Sequence, residues 1–204
     1  MSGTFFPGQK VLVEKGKIAS VGSMIRKNVE KVIECEQKYL IPGLIDAHSH
    51  LGLFESTVPA DDINEPYAEI TPHLRPLDGV KMRDRAMEDA RRAGISTCMV
   101  CPGSERPISG ICSILKTNGN SADVGLIVEQ AGVLMSFGEQ VKVTAKKSDK
   151  PYVTRMGVSA LIRETLMKAQ DYYSAKQSKK MVKDREIDME ALIPLIKAEV
   201  PMRA

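Results

Sequence analysis

His48-Ser49-His50 is the tripeptide of this chain best placed to do chemistry. On a strand, side chains alternate faces, so His48 and His50 point one way and Ser49 the other. Asp46 lies on the histidine face, one step back. Two imidazoles two residues apart both reach one divalent ion, at roughly 2.0–2.1 Å if it is zinc. Gly52 follows directly and lets the backbone turn away at the strand's end. In parallel sheets and barrels, that C-terminal end is where sites are built. A bare H-x-H arises often by chance, and two partly exposed histidines at a strand end are the plain alternative. The metal reading draws its weight from the apolar, Pro-Gly-led run that carries the pair, with Asp46 alongside.

Other residues compete for a role. His73 and Arg75 stand between Pro72 and Pro76 in the loop after the histidine strand, which should overhang the site. Arg75 has the fork to clamp a substrate carboxylate or phosphate, with His73 donating beside it. A proline-braced structural loop is the alternative. Cys98 and Cys101 form a C-x-x-C, but strand positions three apart face opposite ways, so both read as core thiols. The Gly/Ser-rich stretch 101–110 has backbone N–H groups to cradle a phosphate, yet lacks the Gly-Lys-Ser/Thr of a P-loop. It reads as a strand-to-helix loop. The methionines fall mostly at core spacings.

The positioning elements are legible in outline. Residues 10–14, 17–21 and 29–34 alternate as short strands, with Lys15-Gly16 as a turn. Residues 39–50 are apolar on both faces, the pattern of a buried parallel strand. Residues 53–79 carry four prolines and little periodicity, a long loop with one helical turn. Periodicity predicts helices over 81–93, 157–180 and 187–199, the last kinked at Pro194. It predicts strands over 95–101, 111–116, 124–129 and 132–137, with Asn118-Gly119 as a tight turn. The stretch 141–156 is indistinct, and residues 200–204 lead into a strand. Strands alternating with helices make an α/β fold, either a (β/α)8 barrel or a doubly wound sheet. Residues 43–204 fall short of the roughly 250 of a complete barrel.

Composition bounds the function classes. Of 204 residues, 43% are hydrophobic and 27% charged, which is globular and neither disordered nor collagen-like. A net charge of +3 with 4% aromatics and no Trp argues against a nucleic-acid binder. No apolar run spans a membrane and no signal peptide is visible, so four reduced cysteines in the cytosol are expected. Six basic residues between Lys168 and Arg185 meet only Asp171 and Asp184, and read as a solvated helix end rather than an anion patch.

The run Ile41-Pro42-Gly43-Leu44-Ile45-Asp46-Ala47-His48-Ser49-His50-Leu51-Gly52 closely resembles the first-strand signature of the amidohydrolase superfamily. The preceding strands resemble the small β-sandwich that these enzymes carry ahead of the barrel. Ile70-Thr71-Pro72-His73-Leu74-Arg75, Gly103-Ser104, Ser136-Phe137-Gly138-Glu139 and Thr154-Arg155-Met156-Gly157 resemble landmarks of an imidazolonepropionase-like branch. The resemblance implies a composite β-sandwich over residues 1–39 and the N-terminal half of a TIM-type barrel over 40–204. It implies a cytoplasmic hydrolase in which a divalent ion, usually zinc, activates water for attack on a non-peptide C–N bond, such as a cyclic amide or amidine, of a small-molecule substrate.

By the same resemblance His48 and His50 are metal ligands. Glu139, at the expected end of a middle strand, is the candidate third, with Lys142 as a bridging competitor. The pattern also departs here. The family takes further histidines and an aspartate base from later strands, and the only other histidine is His73. The base is therefore expected beyond this chain. Two alternatives follow: a non-catalytic fragment needing a complementary half or a homo-oligomer, or a ligand set shared across a dimer interface.

Overall fold

The structure is a computed structural model that describes residues 6–25, 27–54, 62–178 and 185–204. It divides into two compact units, Met1–Ile41 and Pro42–Ala204. In the smaller, β1 (Lys10–Glu14) and β2 (Lys17–Gly22) form an antiparallel hairpin. Lys15 and Gly16 connect them at φ 49 and 74. Two positive φ angles give the turn twist that suits a two-residue hairpin. The pairing shifts between Leu12 and Val13, so Ala19 on β2 is left without an opposite residue. The third strand expected over 29–34 does not form. Alternation alone makes no strand without a neighbour to bond, and Val32 and Ile33 lie exposed.

The larger unit is built on a five-stranded sheet in the order β3-β4-β5-β6-β7: β3 (Leu44–Ser49), β4 (Ile95–Val100), β5 (Ile108–Lys116), β6 (Leu126–Met135) and β7 (Met202–Arg203). β3 runs parallel to β4, and β6 parallel to β7, but β5 is antiparallel to both its neighbours. The fold is α/β as expected, but its strands and helices do not alternate strictly. The 101–110 stretch links strand to strand rather than strand to helix. β5 reaches β6 through a loop and one helical turn, α2 (Ala122–Gly125), instead of a tight turn at Asn118-Gly119. The two strands expected over 124–129 and 132–137 are the single strand β6.

A second correction concerns the histidine strand. The apolar run 39–50 was expected to be buried on both faces. It becomes strand only from Leu44, at the edge of the sheet, with Leu44 52% and Ile45 72% exposed.

The remaining helices are α1 (Arg85–Arg92), α3 (Glu139–Lys147), α4 (Arg155–Gln177) and α5 (Ile187–Ile196), the last with Pro194 inside it. The Asp84 side chain accepts from the Ala86 N–H and so caps α1; Thr154 caps α4 through the Gly157 N–H. α3 occupies part of the stretch that the sequence left indistinct. Ile108, Ile111, Val133 and Met135 of the sheet pack with Val141 and Ala145 of α3, Val158 and Ile162 of α4, and Leu192 of α5. Cys98 and Val100 pack with Met87 of α1 and Leu53 of the loop after β3, whereas Met99 and Cys101 pack with Cys112 and Leu134. Alternate residues of one strand thus serve separate clusters, and the two cysteines are core thiols on opposite faces.

Methionine usage is mixed: Met82, Met87, Met99 and Met135 are buried, but Met156 and Met167 are exposed. In the basic stretch, Lys168 pairs with Glu164 at 2.7 Å and Lys176 with Glu190 at 2.6 Å. Lys179, Lys180, Lys183 and Asp184 lie outside the described residues. No helix among the described residues is long and apolar enough to cross a membrane.

Candidate metal centre

The end of β3 is tied to the end of β4. Ser49 Oγ donates to the Met99 carbonyl at 3.1 Å, and the Cys101 N–H donates to the Ser49 carbonyl at 2.9 Å. Asp46 sits opposite Cys98 but Ser49 opposite Val100, so β3 carries one extra residue in the segment that contains His48. A bulge of this kind re-aims side chains, and it lies under the histidine pair. Gly52 takes φ 80, and a Cβ there would fall 2.6 Å from Val80 Cγ2; its carbonyl accepts from the Lys81 N–H at 2.9 Å. Only glycine combines that conformation with that approach.

His48 and His50 come together as the alternation requires. Their rings stand edge to face, with centroids 5.5 Å apart and planes at 82°. His50 Nδ1–H donates to the Cys101 carbonyl at 2.8 Å. A carbonyl only accepts, so this bond puts a proton on Nδ1; in the neutral ring the Nε2 lone pair is then the one left for a metal. The His48 N–H donates to Asp46 Oδ1 at 3.1 Å, which holds the backbone between them. Desolvation, then the neighbouring His50, lowers the His48 pKa against an opposing pull from Asp46. A lowered pKa keeps the imidazole neutral, the form that binds metals.

The other candidates are placed elsewhere. Glu139 occupies the first turn of α3, exposed, and pairs with Lys142 at 2.6 Å. That ion pair holds its carboxyl below the usual carboxylate range. The strand ends at Met135 and α3 begins at Glu139, so Glu139 stands at a helix start rather than at a strand end. The structure does not gather it with the histidines: among the described residues no three His, Cys, Asp or Glu side chains are grouped to hold a metal. His73 pairs through Nδ1 with Asp188 of α5, and its Nε2 meets the Tyr67 hydroxyl at 2.7 Å. Arg75 donates Nε and Nη2 to the two oxygens of Asp78, at 3.0 and 2.6 Å, and Nη1 to Glu129 at 3.0 Å. Its fork is spent on the protein itself.

Two participants were not read from the sequence. The Cys101 carbonyl orients His50, and a backbone acceptor 51 residues away carries no residue-type signal. Arg106 is a buried cation on the β4–β5 connection, and its one sequence cue is a lone Arg inside a Gly/Ser/Pro stretch. Arg106 lines a cleft of about 190 Å³ with Asn64, Arg75, Pro102 and Gly103.

No family model matches the chain. It is 30% identical over 179 residues to amidohydrolase tasK of Hapsidospora irregularis, a match covering 78% of this chain and 18% of that protein. It is 38% identical over 55 residues to a 5'-deoxyadenosine deaminase of Methanobrevibacter smithii, covering 26% of this chain and 13% of that one. A crystal structure of an amidohydrolase from Thermotoga maritima superposes with a TM-score of 0.88 at 32% identity, over 95% of this chain and 53% of that one. The chain thus spans about half the length of the solved relative and under a fifth of the fungal one.

Proposed function

The chain corresponds to the N-terminal portion of an amidohydrolase-superfamily protein, and from that premise we propose that His48 and His50 are metal ligands of a hydrolase acting on non-peptide carbon–nitrogen bonds. Cyclic amides and amidines are the substrate class proposed, and zinc the metal. The observation that carries this is the His50 ring: one nitrogen donates to a backbone carbonyl, the other is open, and a second imidazole stands 5.5 Å away. Metal-binding histidines are oriented in this way.

The donor set fits a divalent cation in kind, with two imidazoles at a strand end, but a catalytic site uses three protein ligands. A divalent metal held there would supply Lewis acidity and a more acidic water at neutral pH. This chain's own part is to fix His50 through Cys101, to hold the His48 backbone through Asp46, and to lock β3 to β4 through Ser49. Glu139 enters the proposal as third ligand only by leaving Lys142 and moving to the histidine pair, with which it is not grouped here. The half-barrel reading of the five-stranded sheet, and of the hairpin as part of a sandwich, is likewise proposed from the superposition.

Metal affinity of the purified chain, by zinc titration and elemental analysis, tests the assignment. Saturable zinc that is lost in the His48→Ala/His50→Ala double variant supports it. Folded chain that takes up no zinc, or a double variant that binds it unchanged, overturns it. Glu139→Gln decides the third ligand: weaker binding supports Glu139, and unchanged binding removes it from the set.

A further inference from the structure

Arg106 is only 6% exposed, yet it lines the cleft between the loop after β3 and the β4–β5 connection. A desolvated guanidinium is costly unless a carboxylate meets it. Among the described residues Arg106 makes no ion pair. Its Nε donates to the Glu65 carbonyl at 3.3 Å, and the Tyr152 phenol lies beside it. The neighbouring acids have other partners, Glu65 of the cleft wall among them: its carboxylate accepts from the Tyr67 N–H at 3.0 Å. Glu69 pairs with Lys150 at 3.0 Å, and Glu105 accepts from Gln140 Nε2 at 3.1 Å. Asp62 lies 3.9 Å from Lys81. Arg75 lines the same cleft, but Asp78 and Glu129 already neutralise it. Among the described residues the Arg106 guanidinium thus has no carboxylate partner, with Asp62 and Glu65 also on the cleft wall.

Asn64 supplies a second donor. Its Oδ1 accepts from the Glu105 N–H at 3.3 Å, which leaves the NH₂ end of the amide to give. Gly103 makes room for it: a Cβ there would fall 2.1 Å from Asn64 Oδ1. Ser109 Oγ donates to the Arg106 carbonyl at 3.3 Å and braces the backbone that carries the guanidinium.

We infer that this cleft binds a small monoanionic carboxylate, with the Arg106 guanidinium and the Asn64 amide as its donors. An Arg fork matches a planar carboxylate. One guanidinium, with the carboxylates of Asp62 and Glu65 on the wall, disfavours a phosphate dianion. The cleft also includes Pro102 and Gly103, directly after the Cys101 carbonyl that orients His50. It is lined by neither histidine, so it stands independently of the metal proposal.

Titrating the full chain with sodium acetate, N-acetylglycine and inorganic phosphate, followed by the amide resonance of Gly103 and the Nε–H resonance of Arg106, tests this. Saturable shifts with the two carboxylates, tighter than with phosphate, are expected. Arg106→Gln should weaken them about tenfold or more, the loss of a charge-assisted hydrogen bond. Asn64→Asp keeps the acceptor for Glu105 while adding a repelling charge, so a folded variant is read even if Arg106→Gln misfolds; it should abolish binding. The His48→Ala/His50→Ala variant should bind carboxylate unchanged. No saturable shift, tighter binding of phosphate, or undiminished binding in Asn64→Asp would each overturn the inference.

Discussion

His50 and His73 are both partly buried histidines in the same unit, and they are used in opposite ways. His50 gives one ring nitrogen to a backbone carbonyl and keeps the other open beside His48. His73 turns both toward the protein, Nδ1 facing the Asp188 carboxylate and Nε2 meeting the Tyr67 hydroxyl. Arg75, two residues on, is likewise held by two carboxylates. A ligand needs one nitrogen oriented and one free, whereas a staple uses every donor on the protein. The loop after β3 is therefore fastening: Thr71 Oγ1 lies 3.1 Å from the carbonyls of both Ile108 and Ser109, and the Ile111 N–H donates to Leu74 at 3.0 Å.

The largest expected effect lies at the open end. His50→Ala should lower zinc affinity by about a hundredfold, roughly 3 kcal/mol, and hardly move thermal stability; His73→Ala should do the reverse. Titration calorimetry beside a thermal melt checks both, and a His73→Ala chain that loses zinc would erase the contrast.

The strand under the pair offers a pH test. Burial pushes the Cys98 thiol up to about 11. The folded chain thus holds that proton more tightly than the unfolded one. Its contribution is fully present below the unfolded thiol's pKa and is lost as pH rises toward about 11. Stability should fall by up to about 2–3 kcal/mol across that interval. Cys98→Ala should flatten the alkaline limb of urea unfolding measured against pH.

Smaller effects probe the fastened loop. Thr71→Val removes a fully buried hydroxyl donor and should cost about 1–2 kcal/mol in urea unfolding. A double-mutant cycle of His73→Ala with Asp188→Asn should give about 1 kcal/mol of coupling, against near zero for His48 with His50 in metal-free chain. Arg75→Gln is the mildest. Its partners are half-exposed, so a loss under about 1 kcal/mol that fades in high salt is expected.

Much of the fold was legible because local pattern forces it: the Lys15-Gly16 turn, the strand at 95–100 and the long helix ending near Gln177. What failed was pairing. Nothing in residues 101–110 tells a strand-to-helix link from a strand-to-strand one, because the partner of β5 lies in β6, and Ile108 meets Met135 only across the sheet. Burial of the histidine strand failed for the same reason: an apolar pattern predicts cover, but exposure depends on neighbours, and among the described residues β3 pairs with β4 alone.

At the site the same division holds. Residue order alone set His48 and His50 on one face of a strand, since alternation is a property of the extended backbone. Order also placed Gly52 where the chain must turn. Only the tertiary structure decided which histidine nitrogen is free, because the Cys101 carbonyl arrives through the β3–β4 pairing. Packing likewise set the fates of two more candidates, Arg75, consumed by Asp78 and Glu129, and Glu139, held by a helix start and Lys142, and it buried Arg106 with no carboxylate partner among the described residues. Hydrogen bonds and ion pairs between distant segments depend on distances that no local sequence pattern encodes.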